Sequence, residues 1–216
     1  MGSTLYYVHD PMCSWCYAFS NSLLSLKRAL PVSVGFVKVV GGLAPDTMEP
    51  MPLPLRDKIQ QTWHQIERTV PDVRFNFDFW LKNTPMRSTY PACRAVLTAK
   101  KQGNDCEDKM IEAIQMAYYR KAQNPSLPAT LLRCAERAGL NLSQFAYDFV
   151  SEAVESDLQS EIGFARRLGV VSFPSLRLEH LGTYYPIEVD YLNPSTMLNT
   201  LSAVLAGSHT SRDWRL

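Results

Sequence analysis

No stretch of this chain approaches the roughly 18 consecutive apolar residues that a membrane-spanning helix requires, which argues against a helical membrane protein. It also lacks a block of like charge: 22 lysines and arginines balance 21 acidic residues, for a formal net charge of +1. That balance removes the electrostatic case for nucleic acid or a membrane surface as a partner. The start, MGSTLYYVHD, has no basic segment, long apolar run or small-residue cleavage site of the kind a signal peptide carries. The expected compartment is therefore the reducing cytoplasm. Cysteine is sparse at five residues, an odd number that excludes complete pairing within the chain. In a reducing compartment these cysteines are not expected to form a disulfide framework, so a cysteine motif points to catalysis or metal binding. What remains is an ordinary globular composition, 46% apolar and 20% charged. The length of 216 residues suits one domain with an insertion or two small domains.

Two of the cysteines stand three apart in HDPMCSWCYAF, residues 9–19. Cys13 and Cys16 fit half of a zinc site or the reactive pair of a thiol–disulfide enzyme, because both chemistries use C-x-x-C. Zinc needs two more ligands. Cys93 with Cys106 or Cys134 would be the candidates, yet all three sit in helical patterns with no second C-x-x-C. They read better as small hydrophobes on helix faces.

The surrounding pattern gives the motif a setting. Residues 4–9, TLYYVH, have the aromatic and β-branched character of a short buried strand, and Asp10-Pro11 breaks it. Helical spacing then runs from Cys13 to Ala29, stopped by Pro31, and residues 32–40 form a second strand. Strand–helix–strand implies a parallel pair. From about 55 to 168 come helical segments only: 55–70, 88–103 with Ser88 or Thr89 as cap, 104–121, 128–139, 142–150 and 151–169. The end returns to strands, 170–180 and 183–189, a hairpin around His180-Leu181-Gly182, followed by a helix over 193–207. Pro174 falls inside the first of these strands, where it cannot donate to a sheet, so an edge, bulge or special turn is expected there. The order β-α-β, helical block, β-β-α, with C-x-x-C at the first strand-to-helix junction, is that of an α/β thioredoxin fold with a large helical insertion domain. Residues 1–44 and 158–216 make up the thioredoxin-like part and 45–157 the insertion.

On this pattern and on DPMCSWCYAF, VVGGLAPDTM, FNFDFW, TPMRSTYPACRAVLTAKKQG, AIQMAYY and LGVVSFPSL, the chain resembles the DsbA family, specifically its cytoplasmic FrnE-like branch. That branch is near the 2-hydroxychromene-2-carboxylate isomerases and kappa-class glutathione transferases. The resemblance implies a thiol–disulfide oxidoreductase and a cis proline, at Pro174, beside the cysteine pair. Its substrates would be protein or small-molecule disulfides, with glutathione as a co-substrate. It implies no cofactor beyond the dithiol itself, and no metal. A glutathione-dependent isomerase or transferase on the same fold is the first alternative, but such relatives typically carry serine without C-x-x-C. A non-catalytic chaperone-like or zinc-binding module is the second. The sequence does not specify an oligomeric state, nor whether the couple acts as oxidant, reductant or isomerase.

Elementary chemistry supports the carry-over. A cysteine capping the first helix faces free backbone N–H groups and the positive end of the dipole, which lowers its pKa. Cys13 is thus the expected nucleophile, and Cys16, one turn inside, the resolving thiol. Trp15, Phe173 and Pro174 are the expected substrate-binding residues. His9 reads as a satisfied core or rim histidine, and Asp10 as the shaper of the Asp-Pro turn rather than a tuner of the thiols. Arg87, Ser88, Tyr90 and Arg94 fit either a cleft near the site or, at least as well, helix capping and surface ion pairs.

Overall fold

The computed structural model describes residues 2–207, the side chain of Asn104 excepted. Met1, and residues 208–216 of the expected 158–216 segment, lie outside the described residues. Strand β1 (Ser3–His9) leads into helix α1 (Ser14–Ala29), and the chain returns in β2 (Val34–Val40). Helices follow: α2 (Leu53–Thr69), the single turn α3 (Phe79–Lys82), α4 (Tyr90–Lys100) and α5 (Asn104–Gln115). A π-helical turn, Met116–Arg120, continues α5, and α6 (Pro128–Arg137), α7 (Leu142–Phe149) and α8 (Glu152–Arg167) complete this part. The hairpin β3 (Ser175–His180) and β4 (Thr183–Ile187) precedes α9 (Pro194–Leu205).

The four strands form one sheet in the order β2-β1-β3-β4. β1 runs parallel to β2, Leu5 opposite Phe36, and antiparallel to β3, Leu5 opposite Leu178. The tight turn between β3 and β4 is Leu181-Gly182, both at positive φ (51° and 80°), as two-residue hairpin turns require. Pro186 lies on β4, an edge strand, where a missing donor costs no ladder bond on the outer side. Strand alternation then separates two apolar layers. Leu5 and Tyr7 pack with Phe19 and Leu26 of α1 and with Met197 and Leu201 of α9; Val8 and Val39 pack on the other face against Ala165 of α8 and Leu168 just after it.

The third core belongs to the helices between β2 and β3. At its centre is Trp63, fully buried, ringed by Phe75 (4.7 Å between ring centroids), Trp80 (5.0 Å), Tyr118 (5.6 Å) and Tyr119 (5.7 Å). This core reaches the first strand-to-helix junction, because Met12 and Ala18 belong to it, with Trp15 and Tyr17 packed against it.

Two sequence expectations shift. The segment 104–121 is not one helix, since its last turn widens into a π-turn that sends Tyr118 and Tyr119 inward. Strand pairing at the C-terminal side begins only at Ser175, so Pro174 lies just before the strand rather than inside it. The chain from Val170 to Pro174 runs irregularly across the sheet end, and no ladder donor is lost there.

Candidate functional site

The junction between β1 and α1 is shaped by Asp10. Its carboxylate Oδ1 accepts from the Met12 N–H at 2.8 Å, and its backbone carbonyl accepts from the Cys13 N–H at 3.0 Å, which turns the chain sharply into the helix. Cys13 is then the N-cap residue, extended at φ −80° and ψ 120°, and its side chain makes no capping bond. Its carbonyl accepts the first helical bond, from Tyr17 N–H at 3.0 Å. The sulfur is thereby left free of backbone capping and directed at the 170–174 segment. When protonated, the Cys13 thiol donates to the Phe173 carbonyl at 3.4 Å.

The two thiols sit in unlike surroundings. Cys13 is 7% exposed and Cys16 only 1%, and both are free. The Cys16 thiol donates to Cys13 and holds the Cys13 pKa below that of an ordinary thiol. The backbone N–H groups of Cys16 and Trp15 act in the same direction, while burial and the Asp10 charge oppose them. Cys16 moves the other way. Burial first, then its donation to Cys13 and the proximity of that sulfur's charge, push it well above the ordinary value. The helix-terminus reasoning from sequence gave the right direction for Cys13, but the neighbouring thiol is the larger cause.

Around the pair, Ser14 Oγ accepts from Trp63 Nε1 at 2.8 Å, so the C-x-x-C turn is fastened to the helical core by a hydrogen bond. Trp15 is partly exposed and packs on Tyr191 at 5.0 Å. The Phe173–Pro174 peptide bond is cis, Pro174 is buried, and Phe173 is partly buried. The Phe173 ring lies over Gly41, where a Cβ would stand 2.0 Å from Cε1, so only glycine fits beneath it. The structure thus brings Cys13 and Phe173 into contact. The cavity of about 510 Å³ elsewhere in the molecule is lined by none of Cys13, Cys16, Trp15, Phe173 or Pro174.

Several readings of single residues change. Asp10 shapes the turn as expected, and it does more. Its Oδ2 accepts from Leu43 N–H (2.7 Å), Thr89 Oγ1 (2.6 Å) and Cys93 Sγ (3.5 Å), joining the β2 exit and α4 to the cysteine turn. Cys93 is therefore a hydrogen-bond donor to a buried carboxylate and not merely a small hydrophobe. Burial raises the Asp10 pKa, with the four donors pulling it back. Thr89 holds the N-cap position of α4 yet makes no side-chain cap, because its hydroxyl is given to Asp10. His9 is buried, stacked on Tyr7 at 5.0 Å, but it is not satisfied: its Nε2 has no hydrogen-bond partner. Burial pushes its pKa down to about 3 and keeps the ring neutral.

Of the residues singled out between 87 and 94, Arg94 follows the ion-pair reading, whereas Ser88 does not cap α4, whose N-cap is Thr89. Arg94 forms ion pairs with Asp46 (2.6 Å) and Glu155 (3.1 Å). Ser88 is buried, its Oγ accepting from Thr47 N–H at 3.4 Å and its carbonyl from Ser126 Oγ at 2.7 Å. Tyr90 opens α4 against Gly42, and Arg87 is partly buried near Tyr118. Cys134 donates to the Ala113 carbonyl at 3.5 Å, and Cys106 is half-buried. Among the described residues no group of three or more His, Cys, Asp or Glu side chains is arranged to hold a metal ion. Sequence reasoning missed the Asp10–Thr89–Cys93 node and the Trp63–Ser14 bond. The only sequence signal for the first was a buried-looking acid before a proline, and for the second there was none.

A family model described as thioredoxin matches residues 6–181. Among solved structures, a candidate protein disulfide isomerase from Nitrosomonas europaea is 24% identical with a TM-score of 0.84, over 97% of this chain and 100% of that one. The cytosolic disulfide reductase DsbM from Pseudomonas aeruginosa is also 24% identical, with a TM-score of 0.73 over 94% and 98% of the two chains; it has been solved with GSH as well. At these identities the likeness is one of fold. A curated relative, the ClpXP adapter protein SpxH of Halalkalibacterium halodurans, is 24% identical over 179 residues, 79% of this chain. The chain spans 56% of that relative's length. A cysteine pair at the first strand-to-helix junction, a four-stranded sheet and a helical block between its second and third strands fit one lineage: the chain belongs to the thioredoxin family, in the DsbA-type form of its fold.

Proposed function

We propose that the protein is a thiol–disulfide oxidoreductase in which Cys13 is the nucleophile and Cys16 the resolving thiol. The observation that carries this reading is the asymmetry of the pair: Cys13 stands at the N-cap of α1 with its sulfur toward the Phe173 carbonyl, and Cys16 lies a turn deeper, only 1% exposed. The Cys13 thiolate attacks one sulfur of a substrate disulfide, forming a mixed disulfide and releasing the first substrate thiolate. The Cys16 thiol then attacks the Cys13 sulfur. It expels the second substrate sulfur, which takes up the Cys16 proton, and the Cys13–Cys16 disulfide remains. Two electrons pass from the dithiol to the substrate, and a thiol reductant of the glutathione class returns them; the reverse sequence oxidises a substrate dithiol.

Trp15, Phe173 and Pro174 form the substrate-facing rim, with the Phe173 carbonyl beside the nucleophile. Substrates are protein or glutathione-like disulfides, and no cofactor beyond the dithiol takes part. The DsbM structure, a cytosolic disulfide reductase solved with GSH, supports both the substrate class and a cytoplasmic workplace. Residues 45–157 act as a helical insertion domain on a thioredoxin-like domain of 1–44 and 158–216, covering the pair and restricting access.

The test is mixed-disulfide trapping. Cys16→Ser incubated with oxidised glutathione should accumulate a glutathione adduct on Cys13, located by peptide mass spectrometry, while Cys13→Ser should exchange with nothing. Equal adduct formation on Cys16 in the Cys13→Ser variant would reverse the roles. No adduct in either variant would remove the oxidoreductase reading.

A further inference from the structure

Disulfide exchange puts a negative charge on Cys16 each time the Cys13–Cys16 bond breaks, and again just before it forms. Cys16 is only 1% exposed, so solvent does little to stabilise that charge. In a site closed to water, fixed donors have to do it, and they act there at low dielectric. Strand β1 and the residue after it supply two. The Asp10 backbone N–H donates to the Cys16 sulfur and pulls against the burial that pushes this thiol up. The Tyr7 hydroxyl is the second donor, in hydrogen-bond contact with the same sulfur.

Packing fixes where that hydroxyl lies. Tyr7 belongs to the buried layer that Leu5 of its own strand makes with Phe19 and Leu26 of α1. Its ring is stacked on His9 (centroids 5.0 Å apart, planes 6° apart). Phe19 packs on it at 5.9 Å; three residues after Cys16, Phe19 is on the same side of α1 as that sulfur. Phe36 of β2 lies nearly parallel to the ring at 6.5 Å. The phenol is thus held beneath the first turns of α1, with 4% of its residue exposed. Burial first, then the charges of the two sulfurs, raise the Tyr7 pKa well above that of an ordinary phenol. The group therefore stays protonated and remains a donor throughout the exchange.

We propose that Tyr7 is a further catalytic residue of the dithiol, its hydroxyl and the Asp10 N–H forming a two-donor pocket that takes the charge of Cys16. The proposal rests on the oxidoreductase reading. When a reducing thiolate attacks Cys13, the Cys13–Cys16 bond breaks and its electron pair goes to the Cys16 sulfur, to which Tyr7 O–H and Asp10 N–H donate. The proton lost by the attacking thiol then neutralises Cys16, and Tyr7 keeps its own. Closure of the disulfide runs the same path backwards.

The test mixes the oxidised full chain with dithiothreitol, quenches with acid, and counts opened disulfide by alkylation and mass spectrometry. Tyr7→Phe keeps the ring and removes the donor. It should open the disulfide about tenfold or more slowly, with the near-UV circular dichroism of the parent. Alkylation of Cys13 in the reduced variant should slow by less than about twofold, whereas a displaced cysteine turn would slow both reactions. Tyr7→3-fluorotyrosine, a stronger donor of nearly the same size, should open the disulfide faster than the parent, and it decides the matter if Tyr7→Phe does not fold. A folded Tyr7→Phe that opens at the parental rate, equal slowing of opening and alkylation, or a fluorinated chain no faster than the parent would each overturn this proposal alone. Failure of Cys16→Ser to trap glutathione would instead remove the oxidoreductase reading, and the proposal with it.

Discussion

Replacing Asp10 by asparagine removes one buried charge and forces a choice on the amide. The carboxylate accepts four donors, one at Oδ1 (Met12 N–H) and three at Oδ2 (Leu43 N–H, Thr89 O–H and Cys93 S–H). Asparagine offers one oxygen and one NH2. With the oxygen on the Oδ2 side, the NH2 confronts the Met12 N–H; with the oxygen on the Oδ1 side, it confronts three donors. The first arrangement is the cheaper and still strands one buried donor, which costs about 1–3 kcal/mol. The surviving bonds weaken because they lose charge assistance, while relief of the buried charge works the other way. These two effects oppose one another, so the stranded donor sets the scale. Asp10→Asn should therefore lose about 1–3 kcal/mol in urea unfolding at pH 7.

The pH dependence has a definite sign. Burial raises the folded-state pKa of Asp10, so above the ordinary carboxylate range the folded protein retains a proton that the unfolded chain has released. The parent then loses stability from this group as pH rises through that window, and the variant does not, so the gap between them should narrow. Because the Asp10 charge opposes ionisation of both thiols, the midpoint of the thiolate absorbance of Cys13 should also move down in the variant. A variant as stable as the parent, or a Cys13 midpoint that moves up, would refute the account of Asp10 as a charged clamp beside the pair.

In the reduced parent, alkylation of Cys13 by iodoacetamide should reach half its limiting rate at a pH below the roughly 8.5 of a free cysteine. Cys16 should stay unlabelled over the same range, and equal labelling of both would contradict their opposite displacement. Gly41→Ala should drive the Phe173 ring aside, since the new Cβ would lie 2.0 Å from Cε1. The cost is about 1–3 kcal/mol, with a changed Cys13 alkylation rate because the Phe173 carbonyl moves too; unaltered stability and reactivity would show that the ring does not hold that segment. Trp63→Ala should cost about 3–5 kcal/mol in denaturant unfolding, because it empties the centre of the helical core and releases Ser14. A loss under about 1 kcal/mol would show that this core is not continuous with the cysteine turn.

The strand–helix–strand opening was legible because its signals are local: alternation in TLYYVH, a helical repeat after it, and Pro31 as a stop. The hairpin was legible through Leu181-Gly182. Thr89 does hold the N-cap position of α4, but its hydroxyl goes to Asp10, which is far away in the chain and which only the tertiary fold brings to it. The same distance hid the Cys93 thiol's partner and the Trp63 bond to Ser14. Val170 to Phe173 have strand composition, yet the chain there leaves the ladder and crosses in front of Cys13; β propensity describes a side chain's fit to a pleated surface and cannot tell whether a neighbour is present to pair. The π-turn at Met116–Arg120 is invisible for a related reason. A helical repeat shows which face is apolar, and a single widened turn changes which residues reach the core without changing the composition. His9 was expected to find a partner because most buried imidazoles do, and nothing in a strand pattern marks the exception.

Helix α1 answers to two sets of neighbours at once. Phe19 and Leu26 are locked into the layer beneath the sheet and α9, whereas Ala18, Trp15 and Tyr17 fit the helical core around Trp63. For anyone grafting the helical block onto another sheet, or trimming the molecule to a minimal module, the cut cannot fall at the loops alone. The first helix would have to travel with the block, and the sheet left behind would lose the side chains that fill one of its faces. Substitutions there should be tolerated mainly on the outer stripe of Leu24, Ser25 and Arg28, which is exposed to solvent.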